Sequence, residues 1–316
     1  MEIAFSLVLP IFGVIALGYL ASRSGLMSDA GIDGLDVYVF TFGIPSLLFR
    51  NLAHTELPAT LPWGLWLSYY GAMLAIWAVG SVIARLILKR PPADAIMLGF
   101  GGGQGNVVML GLPIILTGFG PEAGVPLFLL LMFHGLILIT TATLLLEFTR
   151  ARAGEDIGVK RILLAGLKSS LKNPVIIGLL AGVIYGQLGV ALPAVIDKTL
   201  ELTAQSAIPC ALFVLGGTLT RYHIRRSIGA ASLTVLFKLV AHPALVFVLA
   251  YYVFDLPSLW VAVATVLAGM PTGVYSSILA GRYHAAPGAS SSAVLMATGL
   301  SLLSLTVLLQ LFLGQP

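Results

Sequence analysis

Ten apolar stretches, each long enough to cross a bilayer as a helix, follow one another along this 316-residue chain. A hydrocarbon core of about 30 Å is spanned by an α-helix of about 20 apolar residues. By this criterion the sequence predicts spans one to ten at residues 3–22, 30–51, 62–88, 94–118, 122–148, 173–190, 194–219, 227–253, 257–281 and 288–313. We therefore expect an all-α polytopic membrane protein.

The composition excludes a large water-facing domain. Hydrophobic residues make up 58% of the chain and charged residues only 9%, a balance that a soluble surface does not tolerate. The first span lacks a basic leader and contains Pro10 and Tyr19, which favours a retained helix over a cleaved signal peptide. The single cysteine, Cys210, excludes a disulfide framework.

The basic residues predict the orientation in the membrane. With the N-terminus outside, 14 of the 17 lysines and arginines fall in inward loops. These are Arg23, Arg85, Lys89, Arg90, Arg150, Arg152, Lys160, Arg161, Lys168, Lys172, Arg221, Arg225, Arg226 and Arg282. The positive-inside rule then places both termini outside and residues 149–172 in a basic cytoplasmic loop. The charge of +4 is thus a topology signal of a bacterial cytoplasmic membrane protein, with attraction for anionic lipid, and not a sign of a nucleic-acid partner.

An internal repeat divides the chain into two halves. Shifting the sequence by 164 residues aligns residues 10–49 with 174–213 without a gap, and ten of the forty positions are identical. The identical pairs are Pro10/Pro174, Gly18/Gly182, Gly25/Gly189, Ala30/Ala194, Ile32/Ile196, Asp33/Asp197, Ile44/Ile208, Pro45/Pro209, Leu48/Leu212 and Phe49/Phe213. We expect five-helix repeats at residues 1–148 and 173–316, separated by the loop. Because each repeat has an odd number of spans, the two insert in opposite senses, as in secondary transporters.

Spans four and nine contain helix-breaking residues at matching places. A shift of 158 residues superposes GLP of residues 111–113 on GMP of residues 269–271. Glycine costs a helix about 1 kcal/mol and proline about 3 kcal/mol, so both segments are predicted to break at their prolines and cross there. The helix-crossover candidates are Gly111, Pro113, Gly269 and Pro271. Helix N-termini at such a break suit an anion. Ordinary helix packing is the alternative role for these glycines.

Three motifs resemble the auxin efflux carrier family, which includes plant PIN proteins and bacterial malonate-type carriers. They are NVVMLGLP from Asn106 to Pro113, LPIFGVIALGYLASRSGLMS at residues 9–28, and MPTGVYSSILAGRYHA at residues 270–285. The resemblance implies a bile-acid-symporter-like fold. Spans 1, 2, 6 and 7 would form a scaffold through which two copies dimerise, and spans 3–5 and 8–10 a transport domain that moves as an elevator. It further implies transport of small carboxylates.

The resemblance makes Asn106 the first candidate for a substrate contact, because an amide donates to a carboxylate without placing a charge in the membrane. Further substrate-binding candidates are Gln104, Ser46, His134, Thr272, Tyr275 and Ser276. The hydroxyl groups have the alternative of bonding their own backbone. Lys198 and Glu201 are three residues apart and can pair on one helix face, so they are interpreted as a structural ion pair.

His134 and Lys238 lie deep in their spans and are candidates for a coupling role, because histidine titrates near neutrality and a buried lysine can release its proton. A structural histidine is the alternative. Plant relatives carry an acid and a lysine on span three, where this chain has only Tyr69 and Tyr70 as comparable polar groups. The sequence leaves proton, sodium or no coupling ion open.

No enzyme or cofactor motif is present. GFGGGQG lacks the G-K-[ST] ending of a phosphate loop, and the five histidines have no metal-ligand spacing. We therefore expect a non-enzymatic secondary carrier for a small organic anion, such as malonate or an auxin-like weak acid, without cofactor or metal. A passive anion channel and a ligand-binding membrane sensor are the alternatives.

Overall fold

A computed structural model describes residues 2–55, 60–151, 158–224 and 227–313 of the chain. Within these ranges every regular element is a helix, which confirms the all-α prediction. Three basic residues assigned to inward loops, and the last residues of the chain, lie outside the described ranges; the three are Arg152, Arg225 and Arg226.

The helices follow the expected spans closely. In chain order they are α1 Glu2–Arg23, α2 Asp29–Ala53, α3 Trp63–Leu86, α4 Pro92–Gly103, α5 Val107–Phe119, α6 Gly124–Ala151 and α7 Val159–Leu171. They continue with α8 Pro174–Gln187, α9 Ala194–Leu219, α10 Ile228–Val253, α11 Ser258–Ala268, α12 Val274–Arg282 and α13 Pro287–Leu313.

Seven helices of the described chain are long and apolar enough to cross a membrane, namely α1, α2, α3, α6, α9, α10 and α13. The other three expected spans are shorter or divided. Span four comprises α4 and α5, span nine comprises α11 and α12, and span six corresponds to α8, which follows α7 at a bend of 66°. A polytopic helical membrane protein is therefore confirmed, while the total of ten spans stays a prediction.

Three of the prolines inside the spans are accommodated by π-helical turns. Such turns precede Pro45, Pro113 and Pro243 by two residues, at Val39–Gly43, Val107–Gly111 and Phe237–Ala241. A proline ring clashes with the carbonyl four residues earlier and lacks an N–H to bond it. A π-turn widens the helix by one residue, which relieves that clash. The hydrogen-bond pattern changes locally from α to π before each of these prolines, and the helix continues beyond it.

The predicted basic loop of residues 149–172 contains a helix that the sequence interpretation missed. Helix α7 carries Lys160, Arg161 and Lys168 beside exposed leucines, and it packs on α6 where Gly166 lies against Thr140. Helix α7 has too few apolar residues for a membrane span, so the sequence predicted the positive charge of this segment but not its helix.

Four helices, α1, α2, α8 and α9, here named the scaffold, pack as two pairs, and charged residues near their ends form ion pairs. Helix α1 packs along α9, and α8 packs along the second half of α2. Arg50 Nε lies 2.8 Å from Asp197 Oδ1, and Arg221 Nη1 lies 2.7 Å from Asp33 Oδ1. The predicted ion pair of Lys198 with Glu201 is confirmed at 3.1 Å.

The divided helices α4 and α11 lie inside the remaining bundle. Helix α4 packs against α3 and α10, α11 packs against α6 and α10, and α12 packs against α13. Every residue from Met97 to Val107 and from Val261 to Gly273 is buried. Both helix breaks are therefore enclosed by protein, which is the condition for unwound backbone at membrane depth.

Candidate functional site

Two helix breaks meet at the centre of this bundle. Helix α4 ends at Gly103, Gln104 is extended with φ −81° and ψ 116°, and α5 begins at Val107. Helix α11 ends at Ala268 and α12 begins at Val274. The two short unwound segments, residues 104–106 and 269–273, together form the crossing.

The prediction that each span breaks at its proline is right for one half and wrong for the other. Pro271 lies in the second unwound segment, but Pro113 lies within α5, where the π-turn accommodates it. The first break instead follows the glycine run of residues 101–103. The offset of 158 residues therefore aligned the wrong glycines, although Gly111 does pack against Leu267 and Met270 beside the crossing.

Backbone hydrogen bonds join the two unwound segments. The Asn106 N–H donates to the Pro271 carbonyl at 2.8 Å, and the Gly273 N–H donates to the Gln104 carbonyl at 3.2 Å. These bonds flank an antiparallel bridge between Gly105 and Thr272. The unwound peptide groups thus satisfy one another, and this offsets the cost of leaving them unpaired away from water.

Asn106 caps the second half of the broken span. Its side-chain Oδ1 accepts from the Met109 N–H at 3.3 Å, so the amide orients the first turn of α5. The side chain is 8% exposed. An asparagine cap leaves an NH₂ group with two donors beside the helix N-terminus, where the backbone also presents free N–H groups.

Three further candidates belong to the crossing but differ in their bonding. Thr272 Oγ1 donates to the Gly101 carbonyl at 3.1 Å and thereby closes the end of α4. Gln104 Nε2 donates to the Gly105 carbonyl at 3.2 Å, while its Oε1 has no partner among the described residues. Ser276 Oγ is buried and likewise has no partner in the described chain. Unpartnered buried polar atoms mark a place where a ligand group can bond.

The structure does not bring Ser46 or Tyr275 into a hydrogen bond with the crossing among the residues it describes. Both side chains are half-buried, Ser46 on α2 and Tyr275 on α12. Their roles as substrate contacts stay predictions.

A buried polar cluster adjoins the crossing on the side of α10. Lys238 Nζ donates to the Ala268 carbonyl at 2.6 Å and to the Gly103 carbonyl at 3.5 Å, and it lies 2.9 Å from His242 Nδ1. The Tyr69 ring lies between two imidazoles, 5.7 Å from that of His242 and 6.0 Å from that of His134. The coupling candidates Lys238 and His134 are thus in one cluster.

Sequence reasoning did not place His242 or Tyr69 in the site. The spacing of four residues between Lys238 and His242 puts both on one helix face and was an available signal. The His134 ring lies beside the Gly105 backbone at the crossing, whereas the hydroxyl of Tyr69 has no hydrogen-bond partner within the described ranges. The contribution of Tyr69 depends on a tertiary contact between α3 and α6 or α10, for which the sequence carries no signal.

A narrow gap separates the crossing from the scaffold. Val108, Leu112 and Pro113 of α5 face Ile44 of α2 and the α9 residues, which are Ala207, Ile208 and Ala211. The gap is too narrow to hold a water molecule. A larger cavity of about 370 Å³ lies between α1, α9 and α13 and is lined by apolar side chains such as Phe12 and Leu295. The conformation is therefore closed between Pro113 and the scaffold.

No group of three or more His, Cys, Asp or Glu side chains in the described part of the chain is arranged to hold a metal ion. The polar groups at and beside the crossing are amides, hydroxyls, imidazoles, backbone N–H and carbonyl groups, and the amino group of Lys238.

The fold and the site define a polytopic helical membrane protein whose polar groups gather at two broken helices buried in its centre. Comparison with known proteins identifies the family to which this protein belongs. Residues 3–309 match the family described as "Membrane transport protein", and the chain belongs to that family of membrane transporters, which are not enzymes. The expected membership of the auxin efflux carrier family is confirmed.

The chain is similar over most of its length to several curated proteins. It is 28% identical over 306 residues to a "Putative malonate transporter" of Rhizobium meliloti (strain 1021), covering 96% of this chain and 94% of that protein. It is 26% identical over 346 aligned positions to "Auxin efflux carrier component 8" of Arabidopsis thaliana, covering 92% of each. An "Uncharacterized transporter" of Methanothermobacter thermautotrophicus is 26% identical over 302 residues, covering 94% of this chain and 95% of that protein.

Proposed function

We propose that the protein is a secondary active transporter of small organic anions and that the substrate carboxylate binds at the crossing, beside Asn106. The observation that carries this proposal is the meeting of two helix N-termini, at Val107 and Val274, with buried amide and hydroxyl groups that lack partners in the described chain.

Helix dipoles supply the attraction for an anion. Each helix N-terminus is equivalent to roughly half a positive charge, so α5 and α12 together offer about one positive charge to a carboxylate. Free backbone N–H groups at both ends can donate to its oxygens. Binding at helix ends avoids the cost of placing a fixed cation against lipid.

Polar side chains near the crossing would orient the bound carboxylate. The Asn106 amide is fixed by its bond to Met109, and its NH₂ group is available as a donor. Ser276 Oγ lies beside Gly101 near the end of α4 and has no described partner. Thr272 is committed to the Gly101 carbonyl, so its part in substrate binding is indirect.

The closed gap between Pro113 and the scaffold favours alternating access over a channel. A conducting pore needs a continuous aqueous path, whereas the space between α5 and α9 does not admit water. In the proposed elevator, α3–α6 and α10–α13 move as one body against α1, α2, α8 and α9, and the crossing is exposed to one side at a time. The apolar residues of the gap provide a surface along which such sliding costs no hydrogen bonds.

Two inverted five-helix repeats in a bile-acid-symporter-like arrangement are part of the same proposal. The paired contacts of α1 with α9 and of α8 with α2 support it, since a two-fold axis in the membrane plane exchanges the two pairs. We also propose ten spans with both termini outside, a bacterial cytoplasmic membrane location, contact of the basic inward loops with anionic lipid, and a homodimer through the scaffold helices.

The relatives support a carboxylate as substrate. One is named for malonate and another for auxin efflux, and both substrates are small carboxylates. We infer that the transported anion belongs to this chemical class.

The test is uptake into proteoliposomes with a panel of mono- and dicarboxylates, with and without a pH gradient. We expect saturable uptake of at least one carboxylate, and loss of that uptake in Asn106→Ala. Asn173→Ala is the matched control, because Asn173 also caps a helix through Oδ1, at 2.9 Å from the Val175 N–H, but lies at the start of α8. Equal uptake by Asn106→Ala and Asn173→Ala would remove the proposed site.

Measurements on the same proteoliposomes distinguish a carrier from a channel or a sensor. A channel gives steady currents under voltage at rates far above carrier turnover. A sensor binds a carboxylate, detected by a raised unfolding temperature, without accumulating it in the vesicles. A carrier gives saturable flux with counterflow of labelled substrate.

A further inference from the structure

Lys238 places an ammonium between the ends of two broken helices. Its Nζ donates to the carbonyl of Ala268, the last residue of α11, at 2.6 Å and to that of Gly103, the last residue of α4, at 3.5 Å. The side chain is fully buried. These two carbonyls are among those that a helix C-terminus leaves without an intrahelical partner.

The charges of this arrangement balance. A helix C-terminus is equivalent to roughly half a negative charge, so α4 and α11 together present about one negative charge to the space between them. One ammonium neutralises it. Lys238 has no carboxylate partner among the described residues. The acidic residues that form ion pairs in the described chain are Asp29, Asp33, Asp197 and Glu201, which lie near span ends.

The donors and acceptors also match in number. An ammonium has three N–H donors, and three acceptors surround Nζ: the two carbonyls and His242 Nδ1 at 2.9 Å. The remaining titratable groups near Lys238 are Tyr69, whose ring lies 5.7 Å from that of His242, and His134, which lies beside the Gly105 backbone. Neither group is a carboxylate.

The backbone at the crossing is shaped around this side chain. A Cβ on Gly105 would lie 3.1 Å from both Cε and Nζ of Lys238, closer than nearly all such contacts. Gly105 therefore allows the lysine to pass directly beside the unwound segment. The π-turn of Phe237–Ala241 is the element that carries Lys238.

In transporters with broken helices, unwound carbonyls and half-helix C-terminal ends are the groups that coordinate a coupling sodium ion. In this protein the Lys238 side chain occupies the corresponding space between the two helix C-termini. We propose that Lys238 is a built-in cation that occupies a cation site between Gly103 and Ala268, so that the crossing is held together, and transport proceeds, without a bound metal cation. This inference rests on the proposed transport function only where uptake is measured. The unfolding temperature tests it independently of transport.

The first experiment compares buffers in which sodium, potassium or choline is the only cation. Wild-type uptake of a carboxylate that the proteoliposome panel shows to be transported should be the same in all three buffers. The unfolding temperature of the detergent-solubilised protein should also be the same. Sodium stimulation of either quantity in the wild type would overturn the proposal, and this arm requires no variant.

The second experiment removes the ammonium. Lys238→Ala should lower uptake at least about tenfold and lower the unfolding temperature, because hydrogen bonds to a charged group are among the stronger ones. Ethylammonium, n-propylammonium or sodium added to this variant should restore part of both quantities. Lys238→Met is the matched control, since its side chain fills the space without a charge and should not be rescued by any cation.

The outcomes distinguish this proposal from the proposed function. If the wild type moves no carboxylate, transport fails, but cation rescue of the Lys238→Ala unfolding temperature still supports the cation site. If Lys238→Ala keeps wild-type uptake and stability, or folds but is rescued by none of the three cations, the built-in cation is wrong. If neither variant folds, the wild-type comparison of sodium with choline decides.

Discussion

Gly18 lies so close to Phe213 that a Cβ on the glycine would overlap the phenylalanine carbonyl oxygen. The same contact occurs a second time, between Gly182 and the backbone of Phe49. Both pairs are related by the 164-residue shift that aligns the two halves of the sequence, with Gly18 matching Gly182 and Phe49 matching Phe213. The proposed two-fold axis between the halves predicts this exchange of partners, and the pairs lie where α1 meets α9 and α2 meets α8.

Substitution of either glycine should destabilise the scaffold. Gly18→Ala and Gly182→Ala each force the two backbones apart and should lower the free energy of unfolding by about 1–3 kcal/mol, the cost typical of overpacking. The measurement is thermal or denaturant unfolding in detergent. Gly13→Ala on the same helix is the control, because nothing lies within 4 Å of a Cβ there. Similar stabilities for Gly18→Ala and Gly13→Ala would contradict the close contact.

Asn106→Asp separates the capping role of Asn106 from its donor role. The carboxylate keeps an acceptor for the Met109 N–H but replaces the NH₂ group with a negative charge that repels a carboxylate substrate. We expect a folded protein with uptake reduced at least about tenfold, which corresponds to roughly 1.4 kcal/mol in binding. Uptake kinetics and the unfolding temperature are measured together. Wild-type affinity in this variant would exclude Asn106 as a substrate contact.

Thr272 and Ser276 should affect different quantities. Thr272→Val leaves the buried Gly101 carbonyl without its side-chain donor and should destabilise the protein by about 1–3 kcal/mol. Ser276→Ala removes a hydroxyl that has no described partner, so stability should stay within about 0.5 kcal/mol of the wild type while the substrate KM rises. Unfolding and uptake assays on both variants check the contrast. A fall in stability for Ser276→Ala alone would reverse the two assignments.

Cross-linking across the gap should stop transport if the crossing moves against the scaffold. In a Cys210→Ser background, which removes the single cysteine, Val108→Cys with Ala207→Cys places one thiol on α5 and one on α9. A bifunctional thiol reagent should abolish uptake, and reduction should restore it. The pair Ile44→Cys with Ala207→Cys lines the same gap but lies wholly on the scaffold, so its cross-linking should leave uptake intact. Undiminished uptake after complete linkage of Val108 to Ala207 would refute the elevator.

The sequence predicts the uninterrupted helices well because lipid thickness sets their length. The first and last spans were expected at residues 3–22 and 288–313, and the helices are Glu2–Arg23 and Pro287–Leu313. The ion pair of Lys198 with Glu201 was predictable from spacing alone. Such features depend on residues within one helix.

Features that depend on several segments were harder to predict. Pro113 was expected at the first break, yet the break lies at residues 104–106, since a π-turn makes the proline compatible with a helix while a glycine run cannot resist unwinding. The partners of Lys238 come from α4 and α11, and no periodicity relates them to α10. The sequence predicts a loop at residues 149–172, because a 13-residue helix such as α7 is too short for a membrane span.

The hydrogen bond from Asn106 to Pro271 also affects how the protein is made. When the first half leaves the ribosome and enters the membrane, the peptide groups at residues 104–106 have no strand with which to pair, because that strand is not yet synthesised. The two backbone hydrogen bonds of the crossing can form only after span nine has been synthesised. Assembly of the crossing is therefore a late step of biogenesis, and a chain truncated before Pro271 lacks the partners of the early half.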